Sequence, residues 1–412
     1  MIIRLFQTMR LIALLPVLTL GLAFPALAAD WPQFRGPEST AVAPDAQIPS
    51  QPKIDWSVPL PGRGLSSPIT VGKKLFITCA SGPEQDRLHL FCLEASTGGT
   101  LWERQLQATG RTMTQPKNCV AASTPCSDGQ RVFALWSSND LAAFDLDGNL
   151  LWLRGLTADY PNASNSLGMA SSPLVVGDTL VVMIENDSES YALGIDAKTG
   201  GNLWKLDGPK APNWTSPLPW RTGAHASTAA VLQSTKGLLA VDVASGSRLW
   251  EYAEGASNMS SSVIADGVVY AASNGVTALL PQSTDPAPKQ LWRSKQINPS
   301  TISPLVLGDR IYSLNGAGVL SSADIKTGTI QWKLRVTGPF SSSPVAAGTR
   351  LLVVSEKGLV QVVDTTAPEG AVTGKLQLPL KENSKELVLC TPAVSGNHVF
   401  VRTDSTLWRL GE

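Results

Sequence analysis

The feature that most constrains this chain is a nine-residue phrase, Asp196-Ala-Lys-Thr-Gly200-Gly-Asn-Leu-Trp204, which recurs along it. Asp196 can hydrogen-bond its own backbone two residues on, and Gly200 supplies the positive φ on which a short hairpin ends. The acid, the hydroxyl, the glycine and the tryptophan keep their offsets in two further copies, while one copy begins with glutamate and one is a residue shorter. These related phrases close at Trp102, Trp152, Trp250 and Trp332. The phrase predicts a repeated β-hairpin.

A second phrase opens each unit: a small polar pair, usually a proline, an apolar strand, a glycine turn and another apolar strand, as in Ser171 to Met183. It recurs at Ser67-Pro68, Thr124-Pro125, Ser303-Pro304, Ser343-Pro344 and Thr391-Pro392, with weaker copies at Ser227-Thr228 and Ser261-Ser262. Successive tryptophans that close the units are 40 to 52 residues apart. A period in this range with four short strands per unit predicts the blades of a β-propeller.

The two ends of the chain indicate how the ring closes. Ile54-Asp-Trp56 ends a strand before the first opening, whereas the last opening at Thr391 leaves room for only three strands. We therefore expect the N-terminal strand to complete the last blade, which removes exposed sheet edges. The prediction is an all-β, eight-bladed propeller of four-stranded antiparallel blades in which the unit around Gly374 lacks its tryptophan. A seven-bladed ring is the alternative.

The tryptophans that close the units are interpreted as structural. A large indole at the end of each outer strand can pack against the neighbouring blade and give its N–H a backbone acceptor. These residues are Trp56, Trp102, Trp152, Trp204, Trp250, Trp292 and Trp332.

The N-terminus predicts export. A basic start, an apolar run from Leu11 to Phe24 and Ala26-Leu-Ala28 are typical of a secretory signal peptide over residues 1–29. No cysteine follows the cleavage site, so a lipid anchor is not expected, and no transmembrane helix is expected in the mature chain. Residues 30–53, without strand period, are expected to lie across the propeller as an anchored arm rather than join a sheet, or to recognise a partner. Residues 54–412 form the propeller, and the product is predicted to be periplasmic or secreted.

The charge balance and the cysteine content limit the kinds of protein that this chain can be. The chain has 33 lysine and arginine residues and 33 aspartate and glutamate residues. This balance does not indicate a nucleic-acid-binding protein, which would carry an excess of positive charge. Export to an oxidising compartment allows pairing of Cys79 with Cys92 and of Cys119 with Cys126, leaving Cys390 over. Free buried thiols are the alternative, because Cys92 occupies a small-residue position of the repeat.

The search for catalytic motifs finds little. The three histidines lack zinc-binding spacing, and the Gly-x-Ser-x-Gly elbow, P-loop and dinucleotide fingerprint are missing. His89 and His398 are interpreted as ordinary strand residues. Glu185-Asn-Asp187 carries three oxygen-bearing side chains but is interpreted as a solvated hairpin tip, because calcium needs six or more converging oxygens. We predict no metal site and no catalytic residue.

Residues that lead into the first strand of each blade should ring one mouth of the central channel. Read from the repeats, this mouth is small, polar and weakly basic, with no carboxylate, and it suits a polar or anionic group or a peptide loop. The candidate ligand-binding residues are Arg63, Lys117, Asn118, His225, Asn258 and Asn298.

The two repeated phrases, together with the mature start Asp30-Trp-Pro-Gln-Phe-Arg-Gly-Pro37, resemble the secreted bacterial proteins with pyrroloquinoline-quinone-like (PQQ-like) β-propeller repeats. Two groups share this resemblance: quinone-dependent alcohol and sugar dehydrogenases, and non-catalytic scaffolds such as the lipoprotein of the outer-membrane β-barrel assembly machinery. The resemblance implies the propeller fold and leaves both kinds of function open.

The chain departs from both groups. Many of the dehydrogenases are longer and hold a disulfide between adjacent cysteines, a Glu-Asn-Asp calcium set and an aspartate base, whereas no two cysteines are adjacent here. The lipidated cysteine of the assembly lipoprotein is also missing. We expect a non-catalytic exported scaffold without a cofactor, which binds an exported or envelope protein or a polar ligand on one face. Trp31 to Pro37 and two insertions, 105–122 and 210–222, would form its variable surface. A PQQ- and calcium-dependent oxidoreductase is the alternative, and a hydrolase or lyase acting through His225 is a third hypothesis.

Overall fold

The computed structural model describes residues 30–163, 167–222, 225–282, 285–380 and 386–412. Eight sheets radiate around a central channel, seven of them with four strands and one with five. The eight-bladed prediction is confirmed and the seven-bladed alternative is wrong. The predicted signal peptide, residues 1–29, lies outside the described residues. Within the described ranges no helix has the length and apolar character needed to cross a bilayer.

The strands follow the chain in order. Two precede the first complete blade, β1 (Val42–Ala43) and β2 (Lys53–Pro59). Blades one to four comprise β3 (Ile69–Val71), β4 (Lys74–Ser81), β5 (Arg87–Glu94), β6 (Thr100–Gln107), β7 (Cys126–Ser127), β8 (Arg131–Leu135), β9 (Asp140–Asp145), β10 (Leu150–Gly155), β11 (Leu174–Val176), β12 (Thr179–Ile184), β13 (Tyr191–Asp196), β14 (Asn202–Asp207), β15 (Leu218–Thr222), β16 (His225–Ser234), β17 (Gly237–Asp242) and β18 (Arg248–Tyr252). A short helix, α1 (Leu156–Asp159), follows β10.

Blades five to eight comprise β19 (Val263–Ala265), β20 (Val268–Ser273), β21 (Gly275–Leu280), β22 (Lys289–Ser294), β23 (Leu305–Leu307), β24 (Arg310–Leu314), β25 (Val319–Asp324), β26 (Ile330–Arg335), β27 (Val345–Ala347), β28 (Arg350–Val354), β29 (Leu359–Asp364), β30 (Ala371–Gln377), β31 (Ala393–Ser395), β32 (His398–Arg402) and β33 (Thr406–Gly411). The last blade has the order β2-β33-β32-β31, so the N-terminal strand closes the ring as predicted. Its outermost pairing joins Trp56 to Arg409.

The strand sequences reflect their position in a blade. The second and third strands are apolar runs because both of their faces pack against neighbouring blades, and every residue of β12 is buried. The outermost strands alternate, as in β14, where Trp204 is buried between exposed neighbours. The hydrophobic core is accordingly divided into clusters that lie between successive blades.

The tryptophans join each blade to the next. The indole Nε1 donates to a backbone carbonyl in the following hairpin turn for Trp56, Trp102, Trp152, Trp204 and Trp292, at 2.7 to 3.1 Å. The turn glycine of that hairpin lies directly against the same indole, so a Cβ there would come within 3 Å of the ring. The acid-to-glycine turn and the tryptophan are therefore two halves of one contact between blades.

Gly374 replaces the tryptophan of blade seven for two reasons. The last blade has no hairpin between its outer strands, because β33 and β2 come from opposite ends of the chain. The N-terminal arm also crosses at this point, and the Ser50 carbonyl would lie 2.1 Å from a Cβ on Gly374. A tryptophan here would have neither a turn to contact nor space.

A ring of hydroxyls surrounds the channel where the blades begin. In six of the eight blades the backbone N–H of the ring residue donates to the side-chain hydroxyl of the corresponding residue in the next blade, at 2.9 to 3.2 Å. A proline follows seven of the eight ring positions and favours the extended backbone there. We call these eight residues the hydroxyl ring: Ser67, Thr124, Ser172, Ser216, Ser261, Ser303, Ser343 and Thr391.

The N-terminal arm, residues 30–52, crosses the opposite end of the channel. Trp31 forms a bridge with Thr70 on the first strand of blade one, and Val42–Ala43 pairs in parallel with β27 of blade seven. The expectation that the arm joins no sheet is therefore wrong for Val42 and Ala43. Trp31 and Arg35 are fully buried, so the prediction that this segment is variable surface is also wrong.

All five cysteines are free and buried. Cys79 packs on the face of blade one that meets blade eight, and Cys92 packs on the face that meets blade two. Cys119 and Cys126 likewise belong to different core clusters. The proposed pairings are wrong, because the two side chains of each pair belong to different core clusters.

Candidate functional site

The central channel forms a cavity of about 380 Å³ that is open at one mouth. Six members of the hydroxyl ring line it, together with the polar residues Gln115 and Asn118 and the larger side chains Trp214 and Met259. Each hydroxyl that accepts a backbone N–H keeps its own proton, and none of those protons has an acceptor among the described residues. The wall can therefore donate hydrogen bonds to a ligand.

The arm supplies the floor of this cavity. Phe34 faces the lumen, while the neighbouring Arg35 turns beneath it. The Arg35 guanidinium donates to the carbonyls of Ser262, at 2.9 Å, and of Pro304, which belong to blades five and six. The channel is thus a blind pocket and not an open tunnel.

Arg35 is a buried cation whose hydrogen bonds within the described ranges go to neutral carbonyls. Burial lowers its pKa to about 9, because desolvation disfavours the charged form. Its Nε has no hydrogen-bond partner among the described residues. A positive charge held in this way below the floor favours electronegative groups in the lumen.

The predicted basic residues at the mouth are each paired with an acid. Lys117 lies 3.2 Å from Glu356, which also accepts from Ser341. Arg63 lies 2.7 Å from Asp404 and donates to the carbonyl of Asn118. The prediction of a weakly basic mouth without carboxylates is therefore wrong, because Glu356 and Asp404, which follow the second strands of blades seven and eight, lie at this face.

The other predicted residues differ in position. Asn118 is buried, lines the cavity and donates to Leu167. Asn258 donates to Pro212 outside the lumen, and Asn298 is an exposed turn residue that accepts from Ser300. The structure brings Arg63, Lys117 and Asn118 together at the mouth and leaves the other two at its periphery.

His225 does not precede the first strand of a blade. It begins β16, the second strand of blade four, and pairs with Thr222. The opening of blade four is Thr215-Ser216-Pro217, which lies inside the segment 210–222 that the sequence predicts to be an insertion. The backbone of Ser216 donates to Ser261 in the hydroxyl ring, and this contact identifies the true opening. The predicted channel-mouth position of His225 is therefore wrong.

Glu185 and Asn186 are not a solvated hairpin tip, since both are buried and only Asp187 of the three is exposed. Burial raises the pKa of Glu185 to about 8, although a hydrogen bond from Asn213 acts in the opposite direction. Its Oε2 has no hydrogen-bond partner among the described residues. The described ranges contain no group of three or more histidine, cysteine, aspartate or glutamate residues arranged to hold a metal.

Fold and channel define an all-β, eight-bladed propeller with PQQ-like repeats. A family model described as outer membrane protein assembly factor BamB (PQQ_2) matches residues 53–284 and 281–405. The chain therefore belongs to this family.

Among solved structures, BamB from Moraxella catarrhalis aligns with a TM-score of 0.63 and 16% identity over 88% of this chain and 98% of that chain. Quinohemoprotein alcohol dehydrogenase from Comamonas testosteroni aligns with a TM-score of 0.65 and 12% identity over 93% of this chain and 81% of that chain. A europium-containing methanol dehydrogenase aligns with a TM-score of 0.66 and 12% identity over 93% and 98%. At these identities the likeness concerns the fold alone.

A curated relative, polyvinylalcohol dehydrogenase from Sphingopyxis sp. (strain 113P3), is 28% identical over 177 residues. The match covers 39% of this chain and 24% of that enzyme. Relatives therefore include an assembly factor and dehydrogenases.

The residues of the channel do not fit a quinone cofactor paired with a metal. Among the described residues no carboxylate lines the cavity, and Glu356, which lies at its mouth, is already engaged by Lys117 and Ser341. A hard cation requires six or more oxygen ligands, usually including carboxylates. Cys390 is the cysteine that lines the cavity, and it has no adjacent cysteine to pair with.

Proposed function

We propose that this protein is an exported scaffold that binds a polar group of a protein or small ligand in the mouth of its channel and catalyses no reaction there. The observation that carries the proposal is the blind cavity lined by hydroxyls, in whose wall the described part of the chain places neither a carboxylate nor an imidazole. General acid–base catalysis requires a suitably titrating group in reach of the substrate. The titratable residues of this wall are Lys117, which is paired with Glu356, and Cys390, whose pKa burial raises to about 11.

The chemistry of the wall favours a ligand that accepts hydrogen bonds. The hydroxyl ring offers O–H donors, and Arg35 adds positive charge below the floor. Lys117 and Arg63 contribute less to the attraction of anions because Glu356 and Asp404 neutralise them. A carboxylate, amide or carbonyl oxygen on a protruding loop would suit this lumen.

Family membership supports a protein as the partner. The family model is described as an outer membrane assembly factor, and the predicted signal peptide over residues 1–29 supports a periplasmic or secreted location. We therefore expect an exported or envelope protein to present the bound loop.

Affinity capture from a periplasmic extract tests the proposal. Ala170 is half-buried in the wall and lies outside the hydroxyl ring, so Ala170→Trp fills the lumen without removing a ring hydrogen bond. Lys326→Trp, on an exposed hairpin turn at the far end of blade six, is the matched control. We expect the wild type and the control to capture the same protein and Ala170→Trp to lose it. Equal capture by all three would contradict binding in the channel.

The alternative is a quinone-dependent oxidoreductase, which the dehydrogenase relatives favour. Titration of the purified protein with pyrroloquinoline quinone and calcium, followed by absorbance and thermal melting, tests it. Saturable binding, a raised melting temperature and dye reduction upon addition of alcohols or sugars would favour the enzyme over the scaffold.

A further inference from the structure

We propose that Ser81, His89 and Glu103 form a nucleophilic site for the hydrolysis of carboxylic esters on blade one. This inference goes beyond the proposed binding function, because it assigns chemistry to a place outside the channel and leaves the channel as a binding pocket. Ser81 ends β4, His89 lies in β5 and Glu103 lies in β6.

The three side chains form a continuous hydrogen-bonded chain. The Oγ of Ser81 lies 2.7 Å from Nε2 of His89, and Nδ1 of His89 lies 2.7 Å from Oε1 of Glu103. The first contact joins the nucleophile to its general base, and the second joins that base to the carboxylate that orients it. Together, two such contacts activate a serine. Three adjacent strands supply them: Cys79 pairs with His89, and Phe91 pairs with Glu103, so the three functional side chains meet along cross-strand diagonals.

Glu103 determines which nitrogen of His89 carries the proton. Its carboxylate can only accept, so Nδ1 must donate, and the lone pair of Nε2 then faces the hydroxyl of Ser81. His89 is 4% exposed and stacks on Phe91, with ring centroids 5.9 Å apart and planes at 16°. Packing therefore holds the base in the orientation in which it removes the serine proton.

The residue that carries the nucleophile is partly exposed and lies beside two glycine amides. Ser81 is half-buried, while Gly62 and Gly82 beside it are exposed. Neither the N–H of Gly62 nor that of Gly82 donates a hydrogen bond within the described ranges. A Cβ on Gly62 would lie 2.8 Å from the Cα of Ser81, so this glycine packs directly on the nucleophile's backbone. Two such amides can stabilise the oxyanion of acyl transfer.

The reaction balances with these groups and water. The Oγ of Ser81 attacks the ester carbonyl carbon, and its proton passes to Nε2 of His89. The tetrahedral intermediate expels the alcohol, which takes that proton, and leaves an acyl ester on Ser81. Water then attacks the acyl carbon while His89 accepts its proton and returns it to Oγ. The products are a carboxylic acid and an alcohol, and the enzyme is regenerated.

The open surroundings indicate the substrate class. Pro61 and Pro83 are exposed beside the nucleophile, so the surroundings of Ser81 are open. We therefore infer small or short-chain carboxylic esters, with acetyl esters as the simplest members.

The test combines turnover with covalent labelling of the purified full-length protein. p-Nitrophenyl acetate is the substrate probe, and a fluorophosphonate, which reacts with activated serines, is the labelling probe. We expect a label on Ser81, located by peptide mass spectrometry, and a loss of turnover of at least about 100-fold in Ser81→Ala. Ser96→Ala, an exposed serine in a turn of the same blade, should behave like the wild type.

Glu103→Gln tests the positioning residue. We expect kcat to fall by at least about 100-fold with KM unchanged, because glutamine cannot hold the tautomer as a carboxylate does. A melting temperature equal to that of the wild type would separate this effect from a loss of folding. An unlabelled Ser81, or equal turnover by the wild type and Ser81→Ala, would overturn the proposal and leave His89 as a buried, hydrogen-bonded strand residue.

Discussion

The indole Nε1 of Trp204 donates a 2.7 Å hydrogen bond to the carbonyl of Val243, and the face of the same ring lies against Gly246. Trp204 belongs to blade three, and its two partners belong to the turn of blade four. The contact combines burial of a large aromatic surface with a satisfied polar group. It also explains why the acid, glycine and tryptophan recur together in the sequence.

Gly246→Ala should destabilise the propeller by about 3 kcal/mol, because a Cβ would lie 2.7 Å from the Trp204 ring and the backbone has a φ of 70°. Gly267→Ala is the matched control: Gly267 has a φ of 77° and nothing within 4 Å of the added Cβ. The control should cost about 1 kcal/mol, from the backbone alone. Urea unfolding measures both. Equal losses in the free energy of unfolding of the two variants would show that contact with the Trp204 indole is not the reason why glycine occupies position 246.

The repeat predicts the fold because each copy carries both halves of a contact between neighbouring blades. Period, blade number and ring closure by Ile54 to Trp56 follow from that regularity alone. The arm was less predictable, since its contacts reach several different blades and therefore impose no period on its sequence. The burial of Trp31 and Arg35 depends on partners far away along the chain.

The candidate site was predictable only in part. Ser and Thr, in most blades before proline, mark the lumen. Apart from His225, the residues predicted for the mouth precede these positions in the sequence, so none of the hydroxyl ring is among the candidates. In blade four the opening residue, Ser216, lies in a proline-rich segment that does not resemble the other openings. For this reason the sequence pattern points to His225 instead. Ser81, His89 and Glu103 lie on three strands, and no local motif connects them.

Glu185 should make stability depend on pH. Its pKa in the folded protein, about 8, lies above the ordinary value of 4.5, so between these values the unfolded chain releases a proton that the folded protein retains. The contribution of this group to the free energy of unfolding therefore falls as pH rises from 5 to 8, by about 1.4 kcal/mol for each pH unit crossed.

Glu185→Gln should melt at a higher temperature than the wild type at pH 8 and should show little difference at pH 5. Glu369→Gln, at an exposed position, is the control. A parallel pH dependence in all three proteins would contradict the assignment.

The five thiols should be unreactive in the folded protein and fully reactive after unfolding. All are buried and unpaired, and burial raises the pKa of both Cys92 and Cys119 to about 12. Titration with Ellman's reagent at pH 8 should detect almost no thiol in the native state. In guanidinium chloride without reductant it should detect five per chain. A count of three or one would instead reveal disulfides.

Arg35→Ala should loosen the arm that closes the channel. The substitution leaves the buried carbonyls of Ser262 and Pro304 without their donor and opens a cavity under Phe34. A loss of about 2 kcal/mol in the attachment of the arm would raise its rate of proteolytic cleavage about 30-fold, because cleavage follows the population of the open form.

Glu38→Ala is the control within the same segment: Glu38 forms an exposed ion pair with Arg221 at 2.9 Å, which contributes at most about 1 kcal/mol. Limited proteolysis with N-terminal sequencing measures both variants. If cleavage of Arg35→Ala is no faster than cleavage of Glu38→Ala, the buried guanidinium does not anchor the arm.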